Sequence, residues 1–252
     1  MTYAEYKQKS EMPYEEKIKY AAMKADNYYV RNKAVFERNV HISVGGLDSI
    51  TLLLFLRSLN INVPAISVSS LEDRSIQAVH KELGVEKLKP YMSKVEVIEK
   101  LGYPIISKEK AGKIQALQNP TERNATVRHA IMTGDTGKQG GYRKGTRMRL
   151  PKKWLELFAG MENEKYGTSY QQADFLVSNK CCYYMKEKPC DDWAKEHNSV
   201  PYLGMMASEG GQREKALIEH GCNYYGKTTT RQSARKLFHC SIRRTTSATH
   251  PR

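Results

Sequence analysis

The sequence predicts an α/β protein, a doubly wound parallel sheet with an N-terminal helical segment. Two strand–helix units in direct succession, at residues 40–58 and 63–83, carry that prediction. Consecutive βα units imply parallel pairing through right-handed crossovers. The chain's 252 residues suffice to bury a full core. The expected organisation is a helical segment over 1–38, an α/β domain over 39–238 and a basic tail, expected to be disordered, over 239–252.

Residues 1–38 read as helical, with Ile18, Ala21, Ala22 and Tyr29 near one face that packs beside the sheet. Val40–Val44 is the first strand and 48–58 its helix. Asn60–Asn62 turns the chain into a second strand over Val63–Ser69, where Pro64 suits a strand start. Glu72–Leu83 is the next helix, stopped by Gly84. Lys87–Tyr91 reads as a third strand and Val95–Leu101 as a helix. A further helix ends near Gln118, and Pro201–Ser208 is a late strand. The polar Gly/Arg/Lys-rich stretch over 119–150 reads as a mobile loop, either a lid or an insertion.

The formal net charge of +14 favours anionic partners, either nucleotides or a nucleic acid backbone, or else serves solubility. No apolar run reaches membrane-span length, so no membrane partner is expected. The N-terminus lacks the features of a secretory signal. The 5 cysteines are an odd number, which argues against a disulfide framework and for a cytoplasmic protein.

The chemistry centres on Ser43-Val44-Gly45-Gly46-Leu47-Asp48-Ser49. A strand ends, two glycines permit close approach of the backbone, and a helix begins whose first N–H groups face an anion. Asp48 or Ser49 caps that helix, and Ser49 can donate to a phosphate oxygen. In a parallel sheet, ligands bind beyond the C-terminal strand ends, which brings Ser69 and Ser70 beside Gly45 and Gly46. The same turn also suits an ordinary strand–helix corner.

Val44-Gly45-Gly46-Leu47-Asp48-Ser49 resembles the SGGxDS loop of the adenine nucleotide alpha-hydrolase (PP-loop) superfamily, which includes ATP pyrophosphatases and phosphoadenosine phosphosulfate (PAPS) reductases. Tyr103–Glu109 resembles a YPVISKE segment of bacterial and phage PAPS reductase-like proteins. Leu150–Trp154, Lys180–Pro189 and His220–Asn223 resemble further segments of that family, in order. The resemblance implies a Rossmann-like fold that binds ATP or a PAPS-like adenine nucleotide, with magnesium as companion ion. It implies nucleotide contacts from Ser43, Gly45, Gly46, Asp48, Ser49, Ser69 and Arg213. Lys108 either reaches a phosphate or is an exposed lysine at a helix start.

Two departures bear on chemistry. Val44 stands where the motif has its first serine, and Gly210-Gly211 stands where many relatives have Ser-Arg. No Glu-Cys-Gly-His motif, which carries the reductases' nucleophilic cysteine, occurs in the sequence, which argues against reductase chemistry. Cys181, Cys182 and Cys222 match positions that, with a Cys-x-x-Cys, hold an iron–sulfur cluster in some sulfonucleotide reductases. No Cys-x-x-Cys occurs here, so a fourth ligand would come from Cys190, Cys240 or another residue. The other reading is buried thiols packed against the sheet. The functional expectation is an adenine-nucleotide-binding protein that cleaves ATP at the α-phosphate or handles a sulfonucleotide. The alternative is a catalytically degenerate binder of a protein or nucleic acid partner.

Overall fold

The computed structural model describes residues 2–135, 148–159, 162–163, 168–169, 173–205 and 217–225. The chain forms two compact units. Residues 1–89 with 189–252 make the first, and residues 90–188 the second.

The first unit opens with α1 (Tyr3–Glu11), held at its start by a capping box between Thr2 and Glu5, and α2 (Tyr14–Ala34). The predicted helical segment is therefore two helices broken at Pro13, which has no N–H to donate within a helix. There follow β1 (Asn39–Ser43), α3 (Leu47–Ser58), β2 (Ala65–Ser67), a 3₁₀ turn (Ser69–Leu71), α4 (Arg74–Glu82) and β3 (Glu86–Lys87). All four strands of the unit's sheet run parallel, in the order β3-β2-β1-β6, where β6 is Ser199–Leu203. This is an α/β arrangement compatible with a Rossmann-like fold.

Alternation along β1 sorts its side chains. Val40, Ile42 and, just beyond, Val44 join an apolar cluster with Ala25 and Tyr28 of α2 and Ile50, Leu53 and Leu56 of α3. Burying each such leucine or isoleucine contributes about 1.5–3 kcal/mol. Tyr28 and Tyr202 meet with ring centroids 5.0 Å apart, and the Tyr202 hydroxyl donates to the Ala25 carbonyl at 2.7 Å. His41 and Ser43 take the alternate side. There the His41 ring meets Trp193 at 5.1 Å edge-on, and Ser43 hydrogen-bonds Cys190.

The second unit contains α5 (Lys94–Leu101), α6 (Lys108–Gln118), α7 (Ala125–Thr133), α8 (Lys152–Ala159) and a two-stranded antiparallel pairing of β4 (Glu162–Asn163) with β5 (Thr168–Ser169). Its core gathers Ala111, Ile114, Ile131, Leu150, Leu155 and Val177. Gln118 ties the 175–177 segment to α6. Its Oε1 accepts from the Val177 N–H at 2.8 Å, and its Nε2 donates to the Phe175 carbonyl at 3.1 Å. A π-helical turn (Tyr183–Glu187) precedes α9 (Lys188–Glu196), whose residues from Pro189 onward belong to the first unit.

The stretch expected to be a loop over 119–150 instead contains α7. Thr121 and Asn124 form a reciprocal capping box, and Ala130 and Ile131 are fully buried. Residues 136–147 lie outside the described residues. No described helix is long and apolar enough to cross a membrane.

Candidate functional site

The β1–α3 connection is built from short-range bonds. Gly46 is the N-cap of α3, so neither Asp48 nor Ser49 caps it as expected. Ser49 instead locks the turn from within. Its hydroxyl accepts from the Gly45 N–H at 2.7 Å and donates to the Gly46 carbonyl at 2.8 Å. The helix starts one residue early because the Gly46 carbonyl already accepts the Ile50 N–H.

His80 of α4 supplies the second lock. Its ring is 1% exposed, with Nε2 2.9 Å from the Gly45 carbonyl oxygen and Nδ1 2.9 Å from Ser69 Oγ. A carbonyl only accepts, so Nε2 carries the proton, and in the neutral ring Nδ1 accepts from the Ser69 hydroxyl. Ser69 thus stands near the loop, as the strand-end rule predicts, but acts on it through His80.

The consequence for the backbone follows from peptide planarity. In the trans Gly45–Gly46 peptide, carbonyl and N–H point in opposite directions. With the carbonyl held by His80, the Gly46 N–H points away from α4. Among the described residues, the N–H groups of Gly46, Leu47 and Asp48 have no hydrogen-bond acceptor. They form the positive end of the twelve-residue helix α3.

Space matches that polarity. A Cβ on Gly46 would meet nothing within 4 Å, and one on Gly45 would meet only Glu72 Oε1 at 3.8 Å and Ser49 Oγ at 4.0 Å. Gly46 has φ −83°, which any residue can adopt, so neither its backbone nor packing against the described residues requires glycine there. Gly204, just after β6, is the opposite case. Its Cβ would lie 2.7 Å from Ser49 Cα and 2.8 Å from Ser49 N, so only glycine lets the β6 end press on the start of α3.

The other predicted residues are distributed as follows. Asp48 is half-buried in the first turn of α3. Ser43 is spent on Cys190, whose thiol is pushed up to about 11 by burial and by the adjacent Asp191 carboxylate, the Ser43 bond working against the rise. Val44 is 4% exposed and lies in the apolar cluster. Arg213 and Gly210-Gly211 lie outside the described residues. Lys108, in the second unit, is ion-paired with Glu187 at 3.2 Å.

Cys181 and Cys182 are adjacent free thiols with Sγ atoms 3.9 Å apart. Burial, and then the neighbouring Cys182, push the Cys181 thiol up. Cys222, in the first unit, lies beside Tyr20, Lys24 and Lys9. Among the described residues, no group of three or more His, Cys, Asp and Glu side chains is placed to hold a metal ion. These residues do not by themselves complete a four-thiolate cluster site, and Cys240 lies outside them.

His80 and Gly204 were not singled out from sequence. His80 contacts a glycine thirty-five positions earlier in the chain. Its one local sign was a histidine within an amphipathic helix. Gly204 was visible only as a glycine ending a strand.

Comparison of the chain with protein-family models, with curated proteins and with solved structures finds no match. The PAPS reductase-like reading rests on the sequence segments quoted above.

Proposed function

We propose that the chain binds the phosphates of an adenine nucleotide, ATP or a PAPS-like molecule, at the β1–α3 loop. The observation that carries this reading is the trio of N–H groups of Gly46, Leu47 and Asp48, which have no acceptor among the described residues, at the exposed start of α3. Such a helix start suits an anion through both its hydrogen-bond donors and the helix dipole. At Gly46 there is room that no described residue fills. The proposal includes a doubly wound, Rossmann-like sheet in the first unit. It draws support from the four parallel strands and from the contacts β1 makes with α3 on one side and α9 on the other.

Asp48 and Glu72 put carboxylates beside the loop, and a polyphosphate there needs a cation between the charges. Magnesium arriving with the nucleotide meets that need, since it binds mostly through phosphate oxygens with one or two carboxylates. The residues' part is to bind and orient, with the Gly46, Leu47 and Asp48 N–H groups on phosphate oxygens.

Within this reading, binding without turnover is favoured over ATP cleavage at the α-phosphate or sulfonucleotide chemistry. Both hydroxyl positions of the motif are unavailable to a reacting phosphate, because Ser49 is engaged inside the turn and residue 44 is a valine packed in the core. Removing one preorganised donor costs on the order of 100- to 1000-fold in rate, while binding survives on the backbone groups. A nucleic acid or protein partner fits the basic charge but is favoured by no particular contact at this loop.

Calorimetric titration with ATP, AMP and PAPS, with and without magnesium, tests the reading. Saturable binding that disappears in Gly46→Val is the expected result. Absence of heat with all three nucleotides, or equal affinity in Gly46→Val, rules it out.

A further inference from the structure

The second unit presents two thiols side by side. Cys181 and Cys182 take up the helical turn just before the π-helical turn, with Cys182 at φ −59° and ψ −37°. Successive residues of a helix point about 100° apart around its axis, which ordinarily separates their side chains. Here the sulfurs converge to 3.9 Å, the Cys181 thiol donating to Cys182 Sγ. Cys182 is exposed and Cys181 half-buried, so the pair opens to solvent.

The backbone around the pair is fastened on both sides. The Lys180 N–H donates to Ser178 Oγ at 3.1 Å, and Asn179 Nδ2 donates to the Lys108 carbonyl at 3.3 Å. On the other side, the Tyr184 N–H donates to the Lys180 carbonyl and the Tyr184 carbonyl accepts from the Tyr91 N–H, both at 3.1 Å. A ligand that needs both sulfurs finds them already gathered, and gathering is the step that costs conformational entropy.

Such a pair is selective about its ligand. A four-thiolate cluster or a tetrahedral metal site needs further protein ligands. Among the described residues, no third His, Cys, Asp or Glu joins the two thiols. A divalent cation also requires both groups as thiolates, whereas burial and the neighbouring Cys182 push the Cys181 thiol up. A direct disulfide is opposed by the chain itself. Adjacent Cα atoms across a trans peptide stand about 3.8 Å apart, short of the roughly 4.4–6.8 Å that disulfides usually span. What fits is one soft atom bridging the sulfurs, content with two protein ligands and able to react with protonated thiols.

We propose that Cys181 and Cys182 together bind trivalent arsenic that carries two exchangeable hydroxyl groups, as arsenous acid or an organoarsenous acid. Two As–O bonds break and two As–S bonds form. Each hydroxyl leaves as water with one thiol proton, so arsenic stays trivalent, nothing is oxidised and the charge is unchanged. Thiol sulfur is soft and suits a soft centre. The third position on arsenic keeps the hydroxyl or organic group that it brings.

Titration of the full chain, reduced and then freed of small thiols, with phenylarsine oxide tests the site by intact and peptide mass spectrometry. In water this probe is the hydrated organoarsenous acid. One phenylarsine per chain is expected, on the peptide spanning 181–182, released by a small dithiol but not by a monothiol at equal concentration. Cys181→Ser and Cys182→Ser should each weaken binding on the order of 100-fold or more, because either change forfeits the chelate. Both side chains lie outside the unit's core, and urea unfolding reports whether each variant folds. Cys222→Ser should bind as the unmodified chain does. Arsenous acid is titrated in parallel, and the tighter of the two ligands identifies the source, inorganic or organic. Three results each overturn the proposal: no adduct at 181–182, serine variants that both bind as tightly as the unmodified chain, or release by the monothiol alone. A peptide two hydrogens lighter that takes up no arsenic would assign the pair to a disulfide instead.

Discussion

The imidazole Nε2 of His80 lies 2.9 Å from the carbonyl oxygen of Gly45, and this one bond orients the peptide whose N–H leads the candidate nucleotide loop. His80→Ala leaves that half-buried carbonyl and the buried Ser69 hydroxyl without their partner. The expected cost is about 1–3 kcal/mol of stability. Nucleotide affinity should fall further than in a surface control of equal melting temperature, because the Gly46 N–H is no longer aimed. Ser69→Ala, which keeps the His80–Gly45 bond, should retain most of the affinity. Equal affinities in His80→Ala and the unmodified chain would show that the loop orients itself.

Gly204→Ala tests the close approach of the β6 end to α3. The added methyl would stand 2.7 Å from Ser49 Cα, against backbone that has no rotamer with which to yield. Overpacking of this kind costs about 1–3 kcal/mol. The urea midpoint should drop accordingly, and nucleotide binding should weaken with it. An unchanged midpoint would mean that the contact relaxes freely.

Val44→Ser places a hydroxyl where the resembled motif has one. Because Val44 packs with Ile42 and Ile50 in the core, the substitution should destabilise by about 1–3 kcal/mol rather than activate the loop. Pyrophosphate release from ATP with magnesium should stay at background in both proteins. Turnover that rises in the variant would show that a hydroxyl at this position reaches the phosphates.

His41 predicts an acid sensitivity. Burial, reinforced by the neighbouring His197, holds its imidazole down to about 3, against the ordinary value of 6.5. Between those values the unfolded chain binds the extra proton and the folded chain does not, so stability falls as pH drops through that window. The slope from this group is at most about 1.4 kcal/mol per pH unit. His41→Gln should retain a polar side chain toward Ser199. It should lose about 2 kcal/mol less than the unmodified chain between about pH 6.5 and pH 5. Parallel stability curves for the two proteins would assign the acid sensitivity elsewhere.

The parts of this fold that sequence disclosed are those written in local periods. The strand at Val40–Val44 and the apolar helix after it announce themselves by β-branched alternation and a leucine run, and both form within a residue of expectation. Helix α7 escaped notice because the glycines and basic residues of 134–147 coloured the whole interval. Its local signals, the Thr121–Asn124 capping box of the 3₁₀ turn that leads into it and the buried Ala130-Ile131 pair, occupy only eleven positions. At the loop, the strand-end rule set Ser69 beside Gly45 and Gly46, and in the structure Ser69 reaches Gly45 through His80. For Ser49 and Ser69 sequence left both helix capping and nucleotide contact open, and the structure turns both hydroxyls onto the protein. Those bonds depend on which side of α4 faces β1, and that is decided by packing rather than by spacing.

The parallel order β3-β2-β1-β6 has a temporal corollary. One flank of β1 pairs with β2, close by in sequence, but the other waits for Ser199–Leu203, which leaves the ribosome only after the whole 90–188 segment. Pairings so distant along the chain close slowly, since a long loop must be ordered before any bond repays it. Until then β1 presents an unpaired edge, which is the exposure that chaperones guard against. Gly204 follows directly behind that last strand and can press on Ser49 only once the edge is covered. The β1–α3 turn is therefore among the final features to mature during biosynthesis.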